Sequence, residues 1–258
     1  MLDIVNIAHP AFIVLGAYVA WFANHAIGAD PIVTALVLSP AFFVVGQAVY
    51  RIYHVSFERR GQESLRGLAF FFGILFITEV ALSLAFGVDY RLVTTSYSAV
   101  TWRLGVVDLP LRLVLPFAVS LAMTLGLHLL LSRTFFGRAL SAVSQDPLAL
   151  QLMGVDPQRI RERAFALSFA TAGMAGAFLV IIQPVQPSMG RGYIGLGFAI
   201  AVLGGMGSIA GTLLGALVLG MAETLVTTFL GPSWAPAVSF GLLILALVFR
   251  PAGLLGRA

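Results

Sequence analysis

The sequence contains no cysteine and no lysine, and only 10% of its 258 residues are charged. Without cysteine there can be no disulfide, no thiolate metal site and no thiol nucleophile. All 15 basic residues are therefore arginine, carried by short intervals between apolar runs. A basic balance of that kind speaks of membrane orientation before nucleic acid. Long polar stretches are also missing. The longest runs from Arg133 to Arg163, which leaves no room for a separate soluble domain. No basic segment precedes the first apolar run, so no cleavable signal peptide is visible. Catalytic signatures are absent as well: there is no P-loop, no H-E-x-x-H, no G-x-S-x-G and no usefully spaced pair of carboxylates. His9, His25, His54 and His128 are scattered through the chain. The expectation is no catalytic residue and no metal site.

What is present is apolar surface. Hydrophobic residues make up 59% of the chain, and the mean hydropathy is +0.98. Runs near the 20 or so residues needed to cross a bilayer recur along its length. They are continuous rather than alternating, which points to helices and not a barrel. The predicted fold is an all-α polytopic bundle forming one transmembrane domain over residues 1–258. About eight spans can be drawn: 11–27, 32–50, 67–86, 111–131, 164–182, 193–207, 212–230 and 235–249. Threading them places Arg51, Arg59, Arg60, Arg66, the five arginines of 133–163, Arg250 and Arg257 on one side. Arg91, Arg103, Arg112 and Arg191 fall on the other. The positive-inside rule makes the richer side cytoplasmic, and residues 133–163 with it.

The 133–163 interval carries legible punctuation. Asp146-Pro147 is an N-cap followed by proline at the first helical position. Leu148, Leu150 and Leu152 continue the turn, and Gly154 can end it left-handed. Asp156-Pro157 then starts another helix. A helix this short is marginal alone, so it is expected to pack against a partner. In the last third, Gly204, Gly205, Gly207, Gly211 and Gly215 suggest closely packed helices, with Gly207, Gly211 and Gly215 on one helix face.

Glu79 and Glu223 are the acidic residues deep in apolar spans, and His128 is the histidine so placed. Intramembrane ionisable groups are costly and so are functional candidates; the alternative is a hydrogen-bonded carboxyl that holds helices together. His128 lies close to a cytoplasmic end. Gln183-Pro184-Val185-Gln186-Pro187 interrupts a helix, either as a plain outer loop or as part of an outward-facing gate.

Three blocks carry a resemblance. GRALSAVSQDPLALQLMGVDPQRIRERAFALSFATAGMAGAF resembles the cytoplasmic loop and following helix of permeases from branched-chain amino acid ABC importers. GFAIAVLGGMGSIAGTLLGALVLGMAE is similar to their later signature, and VNIAHPAFIVLGAYVA to their N-F-A-H-G block, with Pro10 where glycine is usual. The likeness is to the LivH-type subunit. It implies a LivM-like second permease, two ATP-binding subunits, an external solute-binding protein and a place in the lipid of the bacterial inner membrane. ATP and Mg would belong to the partner ATPases, with no cofactor on this chain. Residues 147–154 would be the coupling helix, with Asp146, Pro147, Leu148, Leu150, Leu152 and Gly154 as its working residues. Family members carry another hydrophobic helix before the N-x-A-H block, so one is expected to be missing here. For a zwitterionic cargo, Glu79 would serve the ammonium and Asn6 or His9 the carboxylate, with Gln183 on the same path. Urea or short amides are alternative cargoes. A proton-coupled carrier using Glu79 and a non-transporting membrane scaffold are readings from other classes.

Overall fold

The computed structural model describes residues 6–58, 64–105, 107–250 and 252–256. Arg59, Arg60 and Arg257, used above for the charge balance, lie outside these residues. Internal contacts divide the chain into two compact units. One comprises Leu2–Met123 with Arg138–Arg191, and the other Thr124–Gly137 with Gly192–Ala258.

In the first unit the core is built by α1 (His9–Ile27), α2 (Pro31–Ser56), α3 (Ser64–Phe86) and α7 (Pro157–Ile182). Proline opens α1, α2 and α7 in the first turn, where its missing N–H costs nothing. Helices α1 and α7 run in the same direction. The Phe12 and Phe169 rings lie 4.2 Å apart, a methyl group on Gly16 would strike Gly173, and one on Gly176 would strike Ile13 and Ala17. Helix α2 runs the opposite way, with Gly46 against Ala166 and Phe169 and the Tyr50 and Phe165 rings 5.6 Å apart. Helix α3 lies alongside, with Phe71 5.8 Å from Phe165 and Phe86 5.3 Å from Tyr18. An antiparallel hairpin, β1 (Thr101–Leu104) and β2 (Val107–Pro110), interrupts the interval between α3 and α4 (Leu111–Arg133). No pattern in the sequence predicted it. Between α4 and α7 lie α5 (Phe135–Gln145) and α6 (Pro147–Leu152).

The second unit holds the rest of α8 (Gly190–Gly204), α9 (Ile209–Leu230) and α10 (Ala235–Phe249). Gly204 meets Gly211 and Gly215 backbone to backbone, so these three act as close-approach residues. Gly207 does not join them. Ser208 caps α9 by accepting a hydrogen bond from the Gly211 N–H. This starts the helix after Gly207, and a methyl group on Gly207 would meet nothing within 4 Å. Gly205 also lies in the turn but is a close-approach residue: a methyl group there would strike the Gly256 backbone and the Ala252 carbonyl.

Among the described residues, seven helices are long and apolar enough to cross a membrane. The expected span 193–207 is not among them. Its helix, α8, has 15 residues, about 22 Å at 1.5 Å per residue, against a hydrocarbon core of roughly 30 Å. The expected span 164–182 in turn begins earlier, at Pro157, because the Asp156 cap carries QRIRER into the same helix.

Candidate functional site

The 133–163 interval folds as its punctuation predicts. The Asp146 carboxylate accepts hydrogen bonds from the Leu148 and Ala149 N–H groups, both at 3.0 Å. At the other end the Gly154 N–H donates to Gln151 and the Val155 N–H to the Leu150 carbonyl, a paired closure that requires a left-handed residue between them. Gly154 supplies it with φ 79°. Leu150 is buried and anchors the helix, so of the three leucines only Leu148 and Leu152 face outward. Exposure is 66% at Leu148, 83% at Leu152 and 79% at Met153. Three apolar side chains on one and a half turns of exposed helix form a sticky end at a polar surface. Preceding α6, α5 buries Ala139, Leu140 and Val143, one stripe at helical spacing.

Immediately after α6, the first turns of α7 are tied to the end of α2 by two crossed ion pairs that sequence reading missed. Arg161 Nη1 donates to Glu58 Oε1 at 2.6 Å, and Arg51 Nε donates to Glu162 Oε1 at 2.8 Å. Glu58 also accepts from the Tyr50 hydroxyl at 3.0 Å and contacts His54 Nδ1 at 2.7 Å. Burial pushes the Glu58 carboxyl up, but the hydrogen bonds from His54, Arg161 and Tyr50 outweigh this and hold it below the usual glutamate range. The available signal was the matching order of charges: Arg51 lies in the last turns of α2 and Glu58 just beyond its end, while Arg161 and Glu162 lie in the opening turns of α7.

The expected substrate-path residues come from three levels of the bundle. Gln183 caps the end of α7. Just beyond it, Val185 and Arg91 exchange backbone hydrogen bonds at 2.8 Å, and the Arg91 guanidinium lies 4.6 Å over the Trp21 ring. From there the chain turns inward. It passes through a single 3-10 turn, Pro187–Met189, which touches both α1 and α3. Gly190 then comes to rest beside Pro10 and Ala11, where an added methyl would lie 3.4 Å from Ala11 Cα. Ala11 is ten residues before Trp21 on α1, or about 15 Å along the helix. The interruption at 183–187, expected as a plain outer loop or as part of an outward-facing gate, thus starts at the outer level and leads inward. It folds back into the bundle and starts α8 well inside it.

At that depth Glu79 is paired. Arg191 donates through Nε to Glu79 Oε2 at 2.8 Å and through Nη2 to Oε1. Its Cζ lies 5.0 Å from the centroid of Phe76. Asn6 stands ahead of α1, its Oδ1 accepting from the Ala8 N–H at 3.1 Å, while its Nδ2 is buried without a partner among the described residues. His9 is the first residue of α1. The structure thus brings Glu79 to Arg191 and brings Pro10 and Ala11 of α1 beside Gly190; His9 precedes them in the same turn, Asn6 lies ahead of the helix, and Gln183 stays at the outer level. In the other unit, Glu223 accepts a hydrogen bond from the Ser239 hydroxyl and so joins α9 to α10, and His128 is exposed on α4.

The sequence matches the family described as "Branched-chain amino acid transport system / permease component" over residues 1–247. It is 30% identical to the high-affinity branched-chain amino acid transport system permease protein BraD of Pseudomonas aeruginosa, over 100% of this chain and 87% of that protein. The LivH protein of the same description from Escherichia coli is also 30% identical, with the same coverage. The E. coli LivM protein is 35% identical over 48% of this chain and 29% of its own length. No solved structure gives a significant match.

Proposed function

The chain belongs to the branched-chain amino acid transport system permease component family, and is a multi-pass membrane protein; we propose that it is the membrane-spanning subunit of an ATP-driven importer that carries branched-chain amino acids into the cytoplasm. In this reading a LivM-like second permease completes the pathway, two ATP-binding subunits supply the energy, and an external solute-binding protein delivers the substrate. ATP and Mg bind the partner subunits, and this chain carries no catalytic step. It resides in the bacterial inner membrane with residues 133–163 on the cytoplasmic side. Asn6, His9, Glu79 and Gln183 line or flank the path.

One observation supports the reading above others: the short capped helix α6, whose Leu148, Leu152 and Met153 are exposed while Leu150 is held inside. An ion-coupled carrier has no use for such a docking helix. An importer driven by a separate ATPase requires one, because force from nucleotide binding has to reach the spans through a rigid contact. Helix α6 leads directly into α7, and the pairs Arg161–Glu58 and Arg51–Glu162 carry a displacement of α7 into α2.

The test is a pull-down of the tagged chain co-expressed with its partner subunits, comparing wild type with Leu148→Asp/Leu152→Asp. Both side chains are exposed, so the substitution leaves the fold intact. Loss of the ATP-binding subunits with retention of the second permease is the expected result. Retention of both in the double variant would contradict docking through α6.

A further inference from the structure

The Arg191–Glu79 pair has a setting that a purely structural ion pair does not need. Arg191 is 53% exposed while Glu79 is 12% exposed. Glu79 lies seven residues before Phe86 on α3, about 10 Å along the helix, and Gly190 reaches a similar depth against α1. A half-exposed guanidinium a third to a half of the way into the hydrocarbon layer cannot face lipid. It faces either a wet path or another polypeptide. Around it are the face of the Phe76 ring and, 4.8 Å from Phe76, the Phe72 ring; Phe72 is 50% exposed. A cation, an anion and an uncovered apolar surface therefore lie together along one face of α3.

That is the complement of a zwitterion with an apolar side chain. We propose that Arg191 and Glu79 form a transient substrate subsite, in which the amino acid inserts into the ion pair. Its carboxylate takes the Arg191 guanidinium, its ammonium takes the Glu79 carboxylate, and its aliphatic side chain lies on Phe72 and Phe76. The exchange is close to neutral electrostatically, because each charge trades one opposite partner for another and none is left bare. It also gives weak binding, as a translocation path requires, since the empty site closes on itself. The sequence alone paired Glu79 with the ammonium and Asn6 or His9 with the carboxylate; in this subsite Arg191, which the fold brings to Glu79, takes the carboxylate role instead. The inference rests on the importer reading above.

The test uses the assembled transporter in proteoliposomes with ATP inside and binding protein outside, reading leucine uptake and binding-protein-stimulated ATP hydrolysis together. The informative variant is Glu79→Gln/Arg191→Gln, which removes both charges at once and keeps groups able to hydrogen-bond each other. The expected result is uptake reduced at least about tenfold, with stimulated hydrolysis within about twofold of wild type. Uptake near the wild-type rate would overturn the subsite. A parallel loss of uptake and hydrolysis would also overturn it, by assigning the pair to structure. A wild-type complex that hydrolyses ATP and moves no leucine would instead defeat the amino-acid reading, an outcome visible before any variant is compared.

Discussion

Two glycine-lined helix contacts, one in each unit, differ in what surrounds them. In the first, α7 lies against α1 and α2 through Gly16, Gly173, Gly176 and Gly46, and 61% of its membrane window is buried within the chain. In the second, α9 meets the end of α8 through Gly204, Gly211 and Gly215, yet 17% of its window is buried. Both contacts bring backbones together, which is how helices associate where no hydrophobic driving force separates lipid from side chain. The difference lies in what surrounds them. Around α7, rings fill the space: Phe12, Phe169, Phe165, Phe71 and Tyr50 stack in one continuous series. Along α9, Met221, Leu225 and Phe229 remain uncovered. The α1–α2–α7 core is thus self-sufficient, whereas α9 presents apolar surface to lipid or to other subunits.

That contrast can be broken by substitution. Gly176→Leu places a side chain into the Ile13 carbonyl and the Ala17 amide. It should cost about 3 kcal/mol or more and abolish the folded permease, as read by thermal unfolding in detergent. Glu58→Ala strips the carboxylate from Arg161, Tyr50 and His54. Because Arg161 keeps partial access to water, the loss should be about 2 kcal/mol. Its pH dependence has a definite sign. A carboxylate held below its ordinary range contributes fully above the unfolded value near 4.3 and is lost as pH falls through the lowered folded value. The Glu58 contribution to stability should therefore be constant from about pH 6 to 8 and shrink in acid; a midpoint titration in wild type and Glu58→Ala checks this, the gap between the two closing as pH falls. Gly154→Val meets no neighbour but forces a β-branched residue to φ 79°, at about 1–2 kcal/mol. Its effect should fall on ATPase capture rather than on global unfolding. Gly220→Leu, on α9 with nothing within 4 Å, should change stability by under about 0.5 kcal/mol. Lost uptake with an unchanged unfolding midpoint would mark that face as one covered by a partner subunit.

Legibility in the sequence followed the range of the interactions. The caps at Asp146, Gly154 and Asp156 were readable because each is settled by hydrogen bonds two to five residues away. The long apolar spans were readable from length and composition alone. The ion pairs Arg51–Glu162, Glu58–Arg161 and Glu79–Arg191 were not, since their members stand 111, 103 and 112 residues apart. Only the fold decides which charge meets which. The shortness of α8 was hidden for a related reason. Its apolar run continues through Gly204 toward the α9 cap, and the inward course of 183–191 depends on Val185 meeting Arg91 and Gly190 meeting α1, contacts that leave no local mark. Gly207 was misassigned because a four-residue spacing of glycines looks the same whether or not a serine cap intervenes.

The measurement that reaches the central claim most directly is leucine uptake by the reconstituted complex with ATP inside, with and without a protonophore. The expected result is uptake that needs ATP, survives collapse of the proton gradient and disappears in Leu148→Asp/Leu152→Asp. Uptake that runs without ATP and is abolished by the protonophore would contradict it.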